Sequence, residues 1–150
     1  MAGRHRLQDE SAHCRRYNDE NIGEMDMKYI LLMSGTKAGV EAYHAWPKQD
    51  IEAHMAVLRR ISQELTESGE FVATQGLAEP KEAKVVRGEK NALPVTDGIF
   101  PESKEFLLGY WIVDVPDAER AYAIAGRISA ASVNMPIEVR QFATHEAKSR

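Results

Sequence analysis

The chain has 150 residues, 43% of them apolar and 28% charged, with a formal net charge of −4; that is the length of one domain, enough to bury a core without disulfides or metals. Its one cysteine, Cys14, excludes an intramolecular disulfide and a thiolate metal cluster, and the acidic balance excludes nucleic-acid binding by bulk charge, which needs a basic patch. No run approaches the roughly 18 continuous apolar residues of a membrane helix, so a cytoplasmic protein with neither a membrane nor a nucleic-acid partner is expected.

Residues 1–26 alternate arginines with acids and carry few large apolar side chains, Leu7, Tyr17 and Ile22 among them. With no apolar segment they are not a secretory signal, and they read as a polar, flexible extension. The folded domain is expected over 27–145. Lys28 to Met33 is apolar on both faces and predicts a buried strand, ended by Ser34-Gly35. A loop through Trp46-Pro47 leads to a helix over 48–68, stopped at Gly69. Its apolar side carries Ile51, His54, Met55, Leu58, Ile61 and Leu65, at helical spacing.

Phe71 to Leu77 predicts a second strand and Ala83 to Arg87 a third, with a turn at Pro80 between them. Gly88 to Ser103 reads as a loop holding Thr96-Asp97-Gly98. Leu107 to Val115 is the strongest strand signal. Alternation sends Leu107, Trp111, Val113 and Val115 one way and Leu108, Tyr110, Ile112 and Asp114 the other. Asp117 is suited to cap a helix reaching Ile128, with Ala118, Ala121, Tyr122, Ala125 and Ile128 inward. Ile137 to Phe142 predicts a closing strand.

The order β-α-β-β-β-α-β implies an α+β fold: a ferredoxin-like antiparallel sheet with two helices on one face and an added strand or hairpin arm. The other face keeps Tyr, Leu and Ile side chains. With no third helix to cover them, a second copy of the sheet is the simplest cover, so a homodimer is expected.

The stretch Thr96-Asp97-Gly98-Ile99-Phe100-Pro101-Glu102, followed by Lys104-Glu105 and Gly109-Tyr110, resembles the motif of the DGPF branch of the YCII-related family. The opening Met27-Lys28-Tyr29, the Glu67-Ser68-Gly69-Glu70 helix end, Gln75-Gly76-Leu77-Ala78, Val85-Val86-Arg87 and Ile137-Glu138-Val139-Arg140 match as well. The resemblance spans Met27 to Phe142. One departure is Ile99, where the family pattern has proline, so the turn loses a fixed φ. The resemblance implies a dimeric α/β barrel with a small-molecule pocket near the dimer interface. It also implies a His/Asp catalytic pair, lyase-type chemistry in at least one relative, and an association of some members with alternative sigma factors.

On this reading His54 and Asp97 are the candidate catalytic residues. A buried imidazole stays neutral, as a general base must, and a carboxylate orients and steadies the imidazolium. Against this, His54 is equally a core histidine with both nitrogens satisfied, and Asp-Gly is ordinary turn chemistry. Tyr110, Arg87, Trp46 and Glu102 are candidate ligand-binding residues: a hydroxyl donor, a carboxylate-holding fork, a pocket wall and a motif carboxylate. The histidines share no metal-ligand spacing. Three functions stay open: a cofactor-free lyase or isomerase acting on a small molecule, a binding module for a small acidic or phenolic ligand, and a regulatory partner of transcription machinery.

Overall fold

Two long apolar strands organise the molecule. The computed structural model describes residues 27–88, 90–92, 94–97 and 104–144, without the side chain of Asp97. The extension 1–26 with Cys14, the rest of the 98–103 turn with Glu102, and His145 lie outside the described residues. The elements are β1 (Met27–Thr36), α1 (Lys37–His44), α2 (Lys48–Glu67), β2 (Phe71–Gly76), β3 (Lys84–Val86), β4 (Val95–Asp97), β5 (Glu105–Val115), α3 (Ala118–Ala131) and β6 (Ile137–Gln141). A 3-10 turn, Pro80–Glu82, precedes β3.

An antiparallel sheet of order β2-β5-β1-β6 forms the body, and β3 pairs with β4 in a separate two-stranded arm. This is the expected split β-α-β plan with its hairpin arm. Among the described residues the sheet is open and closes no barrel. The core joins Tyr29 and Leu31 of β1, Trp111, Val113 and Val115 of β5, Ile61 and Leu65 of α2, and Ala121, Ile124 and Ile128 of α3. Burying each large aliphatic side chain there contributes about 1.5–3 kcal/mol.

Four details correct the sequence reading. The segment after β1 is not all loop. Thr36 accepts a hydrogen bond from the Gly39 N–H at 3.1 Å and caps α1, a third helix where two were expected. The loop before β5 contains β4. In α3 the inward residue is Ile124, and Tyr122 is exposed. Ala121, Ile124, Ala125 and Ile128 follow the i, i+3, i+4, i+7 stripe, which Tyr122 leaves.

The fourth correction concerns β5. Met33 pairs with Gly109 but Ser34 with Leu107, so Leu108 is an extra residue in a bulge. Alternation is rephased there. Leu107 turns out to 43% exposure, while Leu108 reaches Gly35, where a Cβ would lie 2.6 Å from its Cδ1. Gly109 is equally constrained, because a Cβ there would meet the Gln75 carbonyl oxygen at 2.9 Å.

The start of β2 is pinned to α3 by a two-pronged pair. Arg120 Nε donates to Glu70 Oε2 at 2.7 Å and its terminal nitrogen to Oε1 at 2.8 Å. Hydrogen bonding from Arg120, ahead of the opposing desolvation, holds the Glu70 carboxyl below its ordinary range. The Asp117 side chain accepts from the Arg120 N–H at 2.8 Å and caps α3 as expected.

Candidate functional site: an imidazole held between two hydroxyls

The last turn of α1 and the Trp46-Pro47 corner bring three aromatic rings together against α2. Tyr43 and Trp46 have ring centroids 5.1 Å apart, Tyr43 and His54 5.6 Å, and Trp46 and His54 6.1 Å, the last two edge-to-face. His54 projects from the second turn of α2 toward the turn that follows α3. Its Nδ1 lies 3.3 Å from the Tyr43 hydroxyl and its Nε2 lies 3.2 Å from Ser132 Oγ. A neutral imidazole has one N–H and one lone pair, so one hydroxyl accepts from the ring and the other donates to it. Burial lowers the pKa of His54 from its ordinary 6.5, which keeps the ring neutral at pH 7.

Ser132 is 4% exposed. Its turn is fixed by main-chain bonds: Ser132 N–H donates to the Ser129 carbonyl at 3.0 Å and Met135 N–H to the Ser132 carbonyl at 3.1 Å. Ser129 Oγ donates to the Met135 carbonyl at 2.7 Å. Val133 and Asn134 follow with φ of 56° each. Asparagine tolerates that conformation, but a β-branched valine does so only at a cost in strain, which its surroundings must impose. Here the strain sits next to the hydroxyl that holds the imidazole.

Of the residues singled out from sequence, the structure brings His54 and Trp46 together. Tyr110 lies elsewhere. It pairs with Leu32 across β1 and β5 and faces away from the core residue Trp111, so the sheet separates it from His54 within one chain. Arg87 is exposed at the end of β3, its N–H donating to the Pro94 carbonyl at 3.1 Å. Asp97 pairs with Lys84 at the end of β4, and its side chain, like Glu102, lies outside the described residues. Sequence reasoning missed Tyr43 and Ser132. The Thr36 cap was the available signal for the helix carrying Tyr43. Nothing in the sequence marks Ser132, 78 positions from its imidazole.

A concavity lies beside this cluster. It holds about 310 Å³ between the chain leaving β2 and the start of β5, and is lined by Leu77, Pro80, Phe106 and Leu107 with Glu79 and Glu82. His44 connects the two: its Nε2 lies 2.9 Å from Glu79 Oε1, and its ring is 6.4 Å from that of Tyr43. Among the described residues no three His, Cys, Asp or Glu side chains are grouped to hold a metal ion, and no helix is long and apolar enough to cross a membrane.

Comparison with known proteins agrees with the family that the sequence resembles, at the level of the YCII-related domain. An uncharacterised protein of Rhizobium meliloti (strain 1021) is 29% identical over 103 residues, which cover 68% of this chain and 83% of that protein. The YCII-related domain matches residues 27–143, all of the sheet and its helices, and the chain belongs to that family.

Proposed function

We propose that the protein performs cofactor-free acid–base chemistry, an elimination or isomerisation, on a small molecule at the Tyr43–His54 cluster. One observation carries the reading: a desolvated, neutral imidazole is held between the hydroxyls of Tyr43 and Ser132. Tyr43 is the outer member of that chain, half-buried where Ser132 is enclosed. A substrate proton passes to Tyr43 Oη as the tyrosine's own proton passes to Nδ1 of His54. The return step delivers a proton from Tyr43 to a second substrate atom in an isomerisation, or to the group that departs with its bonding electrons in an elimination, and Nδ1–H of His54 restores the tyrosine. Ser132 accepts from Nε2–H throughout and fixes the ring's orientation. Asp97 is the proposed acidic partner on the strength of its motif, with Trp46 as a wall of the site. Arg87, Tyr110 and Glu102 are proposed as ligand-binding residues on the strength of the family resemblance alone.

The dimer itself is proposed from the open face of the sheet. Ile30 pairs with Ile112 and Leu32 with Tyr110 there, and all four remain only half-buried in one chain. A second sheet laid on that face gives the two-chain barrel.

The test is proton exchange. Small carboxylic acids, phenols, lactones and amines are incubated with the protein in D2O and followed by NMR. Wild type should wash deuterium into an activated C–H of at least one of them, and Tyr43→Phe and His54→Ala should abolish this with circular dichroism unchanged. Wash-in that survives both substitutions, or that the wild type never shows, overturns the proposal.

A further inference from the structure

The cavity beside the cluster has a composition that selects its occupant. Its wall is hydrocarbon: Leu77 and Leu107, large side chains left 45% and 43% exposed, converge there with Pro80 and Phe106. Its volume, about 310 Å³, is at the small end of ligand pockets. The charged residues that line it are both acidic, Glu79 and Glu82. Glu79 is already paired on both oxygens, with Lys81 Nζ 2.9 Å from Oε2 and His44 Nε2 2.9 Å from Oε1, so Glu82 is the acid left for a ligand. Neither Lys81 nor His44 lines the cavity.

The wall that bears these acids is pre-formed. Leu77 N–H donates to the Leu108 carbonyl at 2.8 Å, and the 3-10 turn is closed by Glu82 N–H on the Glu79 carbonyl at 2.9 Å and Ala83 N–H on that of Pro80 at 3.1 Å. Lys81, by hydrogen bond first and charge second, holds Glu79 on the low side of the ordinary carboxylate range, so it stays ionised. Glu82 is exposed, and Lys81 acts on it through charge alone. An apolar cleft with one open acid at its rim favours a molecule with a hydrocarbon body and one positive charge over an anion of the same shape.

We propose that this cavity binds a small aryl- or alkylamine, its hydrocarbon against Leu77, Phe106 and Leu107 and its ammonium at Glu82. This names a substrate class for the site of the previous subsection and rests on that reading only in assigning the amine as substrate. His44, bonded to Glu79 and with its ring 6.4 Å from that of Tyr43, links this cavity to the cluster. The small acid or phenol expected from sequence becomes a competitor class in the test.

The experiment is a matched series, 2-phenylethylamine, 3-phenylpropionate, 2-phenylethanol and phenol, titrated into the full chain at pH 7 by isothermal calorimetry and by 15N–1H NMR. The amine should bind and shift the amides of Leu77 to Ala83 and of Phe106 and Leu107, with the other three weaker by about fivefold or more, the scale of one partly exposed ion pair. Glu82→Gln should weaken the amine by a similar factor and leave the alcohol unchanged. Leu107→Lys, at an exposed position that tolerates substitution, should abolish amine binding by placing a competing ammonium in the mouth. Equal binding of the acid, an amine affinity indifferent to both variants, or no amine binding at all overturns the proposal. His54→Ala should retain the amine. Retention in a protein without proton exchange leaves the pocket standing and removes the catalytic reading. Exchange on another compound with no amine binding does the reverse.

Discussion

Replacing Ser132 with alanine isolates the hydroxyl on the inner side of the imidazole. The substitution removes one oxygen from a residue 4% exposed and leaves His54 Nε2 facing a site with no replacement partner. A buried polar group deprived of its partner costs about 1–3 kcal/mol, and the half-buried ring places the loss at about 1–2 kcal/mol. For a chain of this size that is a fall in melting temperature of roughly 3–8 °C. The loss must depend on the ring, so in a His54→Ala background the same substitution should cost at least about 0.5 kcal/mol less. The pH dependence gives a second readout. Burial depresses the pKa of His54, so the unfolded chain takes up a proton first as pH falls. Stability is therefore full above pH 6.5, declines below it, and levels once the folded pKa is passed. Ser132→Ala keeps the ring buried and should keep that decline, whereas His54→Ala should remove its share. Calorimetric melts between pH 5 and 8 read both effects. An alanine variant that melts with wild type, or that costs the same with and without His54, refutes the hydroxyl-held imidazole.

Three further outcomes follow from the fold. Glu70→Gln should lower stability at pH 7 by about 1.5–3 kcal/mol, the value of hydrogen bonds to a charged group. Because the Glu70 pKa is lowered, that contribution is present above the ordinary 4.5 and lost as pH falls through the folded value, so urea melts of the two proteins should draw together as the pH falls below 4.5. Gly126→Ala should stabilise by about 0.5–1 kcal/mol, since a Cβ on that exposed turn of α3 meets nothing within 4 Å. Gly109→Ala should destabilise by about 1–3 kcal/mol through its clash with the Gln75 carbonyl, and thermal melts giving both substitutions the same sign would contradict this. Ile112→Asp should leave a folded monomer by sedimentation velocity if the open sheet face is a dimer contact, and an unchanged sedimentation coefficient removes that interface.

The fold was legible wherever burial imposes a period. β5 alternates and α2 repeats at helical spacing because each has one side against the core, and Asp117 marks the start of α3 by a local hydrogen bond. α1 was illegible for the opposite reason: none of its residues is buried, so no stripe exists to find, and Gly39 argues against a helix. The β5 bulge is equally silent, because the pairing that creates it is between strands some 75 positions apart. That same distance hides the site. His54 could be singled out as a histidine on an apolar arc, and Trp46 as an aromatic before proline. What turns His54 from a satisfied core residue into a candidate base is the contrast between its partners: one hydroxyl sealed against the end of α3 beside a strained valine, the other near the surface on a helix that no periodicity announces. A core histidine needs both nitrogens satisfied, but it does not need one of its partners to be half-open to solvent next to an acid-rimmed cavity. That asymmetry, visible only in three dimensions, is the reason to test Tyr43 and Ser132 separately.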